Sequence, residues 1–136
     1  MQYKLPDKVE HPHPGWVKYL TPKAFVDSLN SGSYLDIFYL KDIDPVDASN
    51  IVYVPGMTTL MLGEFFMMVD TMKTTRPLYL MCLYGDDSRK AAQEAAKRGL
   101  NCIYVDGGSY RLSQEMQKNK WTIMPQPWRG STTKQP

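Results

Sequence analysis

Apolar positions fall into short runs separated by amphipathic stretches, and the alternation predicts strands and helices taken in turn. Trp16-Val17-Lys18-Tyr19-Leu20 reads as a short strand from its aromatic and β-branched content. Thr21-Pro22 then supplies an N-cap and a proline in the first helical turn. That helix runs to about Asn30 with Phe25, Val26 and Leu29 inward, and Gly32 stops it. Tyr34 to Leu40 is a nearly continuous apolar run, the pattern of a strand covered on both faces. After a polar turn through Asp42, Asp44, Pro45 and Asp47, Ile51-Val52-Tyr53-Val54 reads as another strand, ended by Pro55-Gly56. Leu60 to Met72 reads as a helix, and Arg76-Pro77 closes the connection to a strand, Leu78 to Met81, that runs straight into Cys82. A loop of Leu83, Tyr84, Gly85, Asp86 and Asp87 leads to a helix opening at Ser88. It carries Ala91, Ala92, Ala95 and Ala96 and closes at Gly99. Cys102 to Val105 is the last strand, Asp106-Gly107-Gly108 a turn, and Tyr110 to about Lys118 a shorter helix.

Strands alternating with helices at this spacing imply βαβ units. The expected fold is a single α/β domain over residues 16–121, with a mainly parallel sheet of about five strands flanked by helices. Pro6, Pro12, Pro14 and Gly15 make residues 1–15 an extended arm, and Pro125, Pro127, Gly130 and Ser131 make residues 122–136 an irregular tail. No internal repeat is visible. The length of 136 residues suits one domain, and 43% apolar with 22% charged residues is a globular balance.

The formal net charge of +2 is spread without a cationic stripe, which argues against nucleic acid as a ligand. The longest apolar stretch, Leu60 to Val69, is broken by Gly63 and Glu64 and falls well short of the about twenty residues that span a bilayer. The N-terminus has no apolar core and carries Asp7 and Glu10 without arginine, so it is neither a signal peptide nor an obvious transit peptide. Two cysteines are too few for a disulfide scaffold, and a reducing intracellular setting, mitochondrial or cytoplasmic, is expected. His11 and His13 alternate with prolines on the arm, and two ligands on an extended arm make a poor metal site. Neither a metal nor a cofactor is expected.

The chemistry concentrates between Leu78 and Gly108. A cysteine at the carboxyl end of a parallel strand, followed by a tight loop and a helix start, lies where open α/β sheets place their ligands. Loop N–H groups and the positive end of the helix dipole stabilise an anion there, which favours a nucleophilic thiolate. Cys102, in mid-strand, reads as core packing. A Cys82–Cys102 redox pair would require the two strands to be neighbours.

Cys82, Gly85 and Ser88, the alanine-rich helix, Arg98-Gly99-Leu100 and the Asn101 to Gly108 strand-and-turn form an ordered series that resembles the rhodanese-like domains. Leu20-Thr21-Pro22, Tyr34-Leu35-Asp36-Ile37 and Val54-Pro55-Gly56-Met57 extend the resemblance over residues 17–112. The resemblance implies a sulfurtransferase site in which Cys82 attacks a small sulfur donor and holds a persulfide. The N–H groups of residues 83–88 would cradle the outer sulfur, and Ser88 would cap the helix.

Three departures bear on that activity. Active members carry an arginine after the second-strand aspartate, where this chain has Phe38 or Tyr39. They often carry another just before the serine, where Asp87 stands beside Asp86. Exchanging one positive for two negative charges disfavours an anion in the loop by roughly a few kcal/mol unless Arg89 and Lys90 turn back over it. Phosphatases of a related fold would need an arginine at the position of Ser88, and Arg89 comes one residue late.

The expected function is therefore a non-catalytic rhodanese-like subunit or interaction module of a larger protein assembly. The alternatives are a thiosulfate-type sulfurtransferase and a sensor using Cys82 alone. Phe65, Phe66, Met67, Met68 and Val69 are consecutive and wrap more than one helix face. Leu60, Phe65, Phe66 and Met68 are thus the candidate contacts for protein partners, as methionine- and aromatic-rich surfaces often are.

Overall fold

The computed structural model describes residues 18–32, 34–41, 52, 54 and 56–124. Within them the apolar runs become five strands: β1 (Lys18–Leu20), β2 (Asp36–Lys41), β3 (Thr58–Met61), β4 (Leu78–Met81) and β5 (Cys102–Val105). They pair in the order β1-β5-β4-β2-β3, every pair parallel. Four helices connect and flank them: α1 (Pro22–Asn30), α2 (Leu62–Val69), α3 (Asp86–Lys97) and α4 (Gly108–Asn119).

Period-two alternation divides each central strand between two cores. Leu40, Leu78, Leu80, Cys102 and Tyr104 pack with Phe65 and Val69 of α2 and Ala91, Ala92 and Ala95 of α3. Ile37, Tyr39, Met81 and Val105 pack with Phe25, Val26 and Leu29 of α1 and Leu112 of α4. The alanines let α3 lie close to the sheet. α1 starts as its residues dictate: the Thr21 hydroxyl accepts from the Ala24 N–H at 3.2 Å, and Pro22 opens the helix.

One strand differs from expectation. The segment that pairs with β2 is Thr58–Met61, and of the expected Ile51 to Val54 strand the described residues Val52 and Val54 lie outside any strand. Val54 is fully buried against the α1/α4 core, and its carbonyl accepts from the Met57 N–H in a turn through Gly56. Its apolar character reflects burial rather than pairing. Ile51, Tyr53 and Pro55 lie outside the described residues. The predicted Leu60 to Met72 helix is correspondingly split: Thr58 to Met61 extend as β3, and the helix proper ends at Val69. Glu64 marks the switch, its Oε1 accepting the Met61 N–H at 2.7 Å.

The helix covered by this correction also turns over one expectation about its surface. Phe65 is fully buried, 6.4 Å from Phe38 between ring centroids, and belongs to the core rather than to a contact surface. Leu60, Phe66 and Met68 are half-buried, while Met67 is 75% exposed.

Beyond residue 121, the Asn30 side chain donates to the Thr122 carbonyl and accepts from the Met124 N–H, both at 2.8 Å. Residues 122–124 are thereby tied to the end of α1. The arm before residue 18, with His11 and His13, and the tail from residue 125 lie outside the described residues. Among the described residues no helix is long and apolar enough to cross a membrane.

Candidate functional site

The strand order creates a crevice at one place. The chain leaves β4 for α3 on one face of the sheet and leaves β5, its neighbour, for α4 on the other. Adjacent strands whose connections diverge leave a gap at their carboxyl ends, which is where ligands bind in such sheets. Cys82 lies in this gap, one residue past β4.

Local hydrogen bonds explain the loop's shape. The free N–H groups at the start of α4 point at it: Ser109 donates to the Cys82 carbonyl and Tyr110 to the Leu83 carbonyl, each at 2.9 Å. With those carbonyls turned outward, N–H groups of the loop turn inward. Gly85 donates to Cys82 Sγ at 3.0 Å and Ser88 at 3.3 Å. The thiol donates to Ser88 Oγ at 3.4 Å, and that hydroxyl donates to the Gly85 carbonyl at 3.1 Å. Gly85 and Gly108 are required by this approach. Both have positive φ, +96° and +66°, and a Cβ on Gly108 would stand 2.3 Å from the Cys82 carbonyl oxygen.

Ser88 therefore plays a different part from the helix cap expected of it. α3 opens two residues earlier, at Asp86, with Gly85 as its N-cap. Ser88 is fully buried beneath the sulfur instead. Of the remaining predicted loop residues, Leu83 and Asp87 are half-buried, and Tyr84, Asp86 and Arg89 are exposed. Among the described residues, no ion pair joins Arg89 or Lys90 to Asp86 or Asp87. Arg111 enters from α4 but is held by Asp106 (2.6 Å) and Glu115 (2.7 Å). These ion pairs hold its guanidinium above its usual value.

Two further residues of the site lie far from the motif in sequence. Tyr39, one of the two residues where the resemblance led to an expected arginine, is 2% exposed and places its hydroxyl 3.4 Å from Oγ of the fully buried Ser109. Burial pushes the Tyr39 phenol up, the Ser109 hydrogen bond offsets part of this, and the nearby Cys82 adds to the rise. A pair of hydroxyls thus stands beside the thiol loop on this side. Asp36, at the amino end of β2, pairs with Arg76 at 3.2 Å and takes no part in the loop. A groove of about 690 Å³ lined by Met72, Lys73, Arg76, Arg98 and Leu100 also lies away from the crevice.

The two cysteines do belong to neighbouring strands, but the register separates them. Cys102 pairs with Leu78, so Cys82 lies four residues, or roughly 13 Å, further along. A disulfide needs Cα atoms within about 7 Å, and both thiols are free. Burial pushes the Cys102 thiol from 9.0 to about 12. Iodoacetamide at pH 8 should consequently leave Cys102 unlabelled until the chain unfolds, as peptide mass mapping would show. Above pH 9 the unfolded chain loses this proton while the folded chain keeps it, so stability should fall as pH rises towards 12. The fall should be smaller in Cys102→Ala. Among the described residues, no group of three or more His, Cys, Asp or Glu is placed to hold a metal ion.

The sheet, the crevice and the thiol loop together define an α/β domain built to present a cysteine at a topological switch point. Solved structures place that architecture in a known fold. The chain is similar to a protein of unknown function from Rhodopseudomonas palustris, a possible tyrosine phosphatase, with a TM-score of 0.61 and 19% identity, covering 79% of this chain and 85% of that one. A rhodanese-like domain protein from Staphylococcus aureus aligns with a TM-score of 0.59 and 16% identity over 71% of this chain and 91% of its own. A rhodanese-related protein from Thermoplasma volcanium aligns at 0.54 and 13%, over 72% and 92%. The chain has the rhodanese-like fold. No protein-family profile matches it, and neither does any curated protein.

Proposed function

We propose that this chain is a rhodanese-like domain that does not turn over anionic sulfur donors and serves as a subunit or interaction module of a larger protein assembly, mitochondrial or cytoplasmic. The observation that carries this reading is the charge of the loop. Asp86 and Asp87 open α3 directly after Gly85, Arg89 and Lys90 are exposed without pairing to them, and Arg111 is occupied. Each carboxylate–anion pair costs about 2 kcal/mol at roughly 8 Å with an effective dielectric near 20, before salt screening. Thiosulfate, a dianion, meets that cost twice over at each carboxylate.

A partner surface is supported at the sheet edge. Among the described strands β3 is an end strand, and its Leu60, with Phe66 and Met68 of α2, packs half-buried against the same core while Met67 is exposed. Sulfur transfer from thiosulfate to cyanide should therefore give no thiocyanate above the Cys82→Ser background. Turnover that disappears in that variant would overturn the reading, as would recovery of the chain from its source as a lone monomer.

A second reading, a thiosulfate-type sulfurtransferase with Cys82 as nucleophile and persulfide carrier, is supported by one specific feature: the Gly85 and Ser88 N–H groups both donate to Sγ. Backbone donors aimed at sulfur stabilise a thiolate and, after transfer, a persulfide.

A further inference from the structure

The rim of the Cys82 crevice carries exposed aromatic surface that the fold does not need. Tyr84, in the loop, is 59% exposed, and Tyr110, in the first turn of α4, is 36% exposed. Their rings lie 5.4 Å apart, inclined at 56°. They come from opposite sides of the crevice, one from the β4–α3 connection and one from α4, and the Tyr110 N–H bond to the Leu83 carbonyl holds the two sides together. Neither ring belongs to either core. Asp86, exposed, and Asp87, half-buried, follow Tyr84 by two and three residues. The crevice therefore combines a thiol held by two N–H donors, an aromatic pair and two carboxylates.

Each component selects the same ligand charge. Aromatic faces attract organic cations through the ring quadrupole, and carboxylates do so directly. Carboxylates and ring faces both disfavour anions. Resting on the second reading above, in which Cys82 is a nucleophile, we infer that the site reacts with disulfides of cationic aminothiols. The ammonium group lies at the Tyr84–Tyr110 pair beside Asp86 and Asp87, and one sulfur reaches Sγ. The thiol gives its proton to solvent, and Sγ forms a bond to the near sulfur. The disulfide bond breaks with its electron pair passing to the departing sulfur, which leaves as the aminothiol after taking a proton. A Cys82 mixed disulfide remains. The disulfide itself is the oxidant, so no other is required.

The test compares three small disulfides on the whole chain at low ionic strength: cystamine, the neutral bis(2-hydroxyethyl) disulfide and the anionic 3,3′-dithiodipropionate. Adduct formation at the Cys82 peptide is followed by mass, and each rate is divided by that of a small reference thiol with the same reagent. Cystamine should lead the neutral compound by about tenfold, the anion should trail it, and salt should compress the series. Asp86→Asn with Asp87→Asn should slow cystamine and speed the anion. Tyr84→Ala should slow cystamine more than the neutral compound. Normalised rates that are equal, or fastest for the anion, would overturn the charge preference while leaving Cys82 a nucleophile. No adduct with any of the three would overturn both.

Discussion

Gly108→Ala will lose at least about 3 kcal/mol of stability and displace the Cys82 loop, the largest effect expected of any small substitution here. The added Cβ would stand 2.3 Å from the Cys82 carbonyl oxygen, 2.5 Å from that of Leu83 and 2.7 Å from the Gly85 nitrogen. All three are backbone atoms, so no flexible side chain can move aside. The φ of +66° adds strain of its own. For a domain of this size the loss corresponds to a fall in melting temperature on the order of 10 °C. Gly32→Ala is the matched control. Its φ is +90° but nothing lies within 4 Å of the added carbon, so it should cost only about 1–2 kcal/mol. Thermal or urea unfolding of the two variants separates collision from strain, and equal losses would mean that α4 does not approach the loop this closely.

Phe65→Ala should cost about 3–5 kcal/mol, the usual result of emptying a fully buried aromatic site. Met67→Ala, two residues on and 75% exposed, should stay within about 0.5 kcal/mol. The contrast matters because both lie in the same apolar run of α2. Urea midpoints for the two would decide the packing of this helix, and a Phe65 variant as mild as the Met67 one would return Phe65 to the surface. For partner binding the order reverses. Met67→Glu should weaken an assembly contact on this face while leaving the isolated domain folded.

Why α2 was misread follows from the chemistry of its residues. Phe65 to Val69 are all apolar, so no polar stripe marks which side faces water, and periodicity alone cannot orient the helix. The same ambiguity hid β3. Thr58-Thr59-Leu60-Met61 has less apolar character than Ile51 to Val54, yet it pairs with β2 because the chain after the turn at Gly56 returns to the open edge there. Strand pairing depends on register with a neighbour, and Val54 shows that a buried β-branched residue can sit in a core without it.

In the site, short-range spacing was legible and long-range placement was not. Cys82, Gly85 and Ser88 fall within seven residues, so their proximity is a matter of local chain geometry, which the N–H groups of α4 then brace. Tyr39 and Ser109 stand 70 residues apart and meet only because β2 and the start of α4 converge beneath the loop. The direction of Arg89 depends on the first turn of α3, and the turn begins two residues earlier than its alanine pattern suggests.

From its residues alone, then, this chain determines four of the five strands and, in outline, the four helices found among the described residues, together with a parallel α/β sheet and a cysteine loop at the end of β4. These depend on local propensity, burial pattern and turn chemistry, all of which are written in neighbouring positions. Only the tertiary structure decided which segment completes the sheet edge, that Phe65 is core, that Tyr39 meets Ser109, and that Cys82 and Cys102 are neighbours by strand but offset along it. Each of these depends on register or on contact between distant segments, which neighbouring positions do not encode.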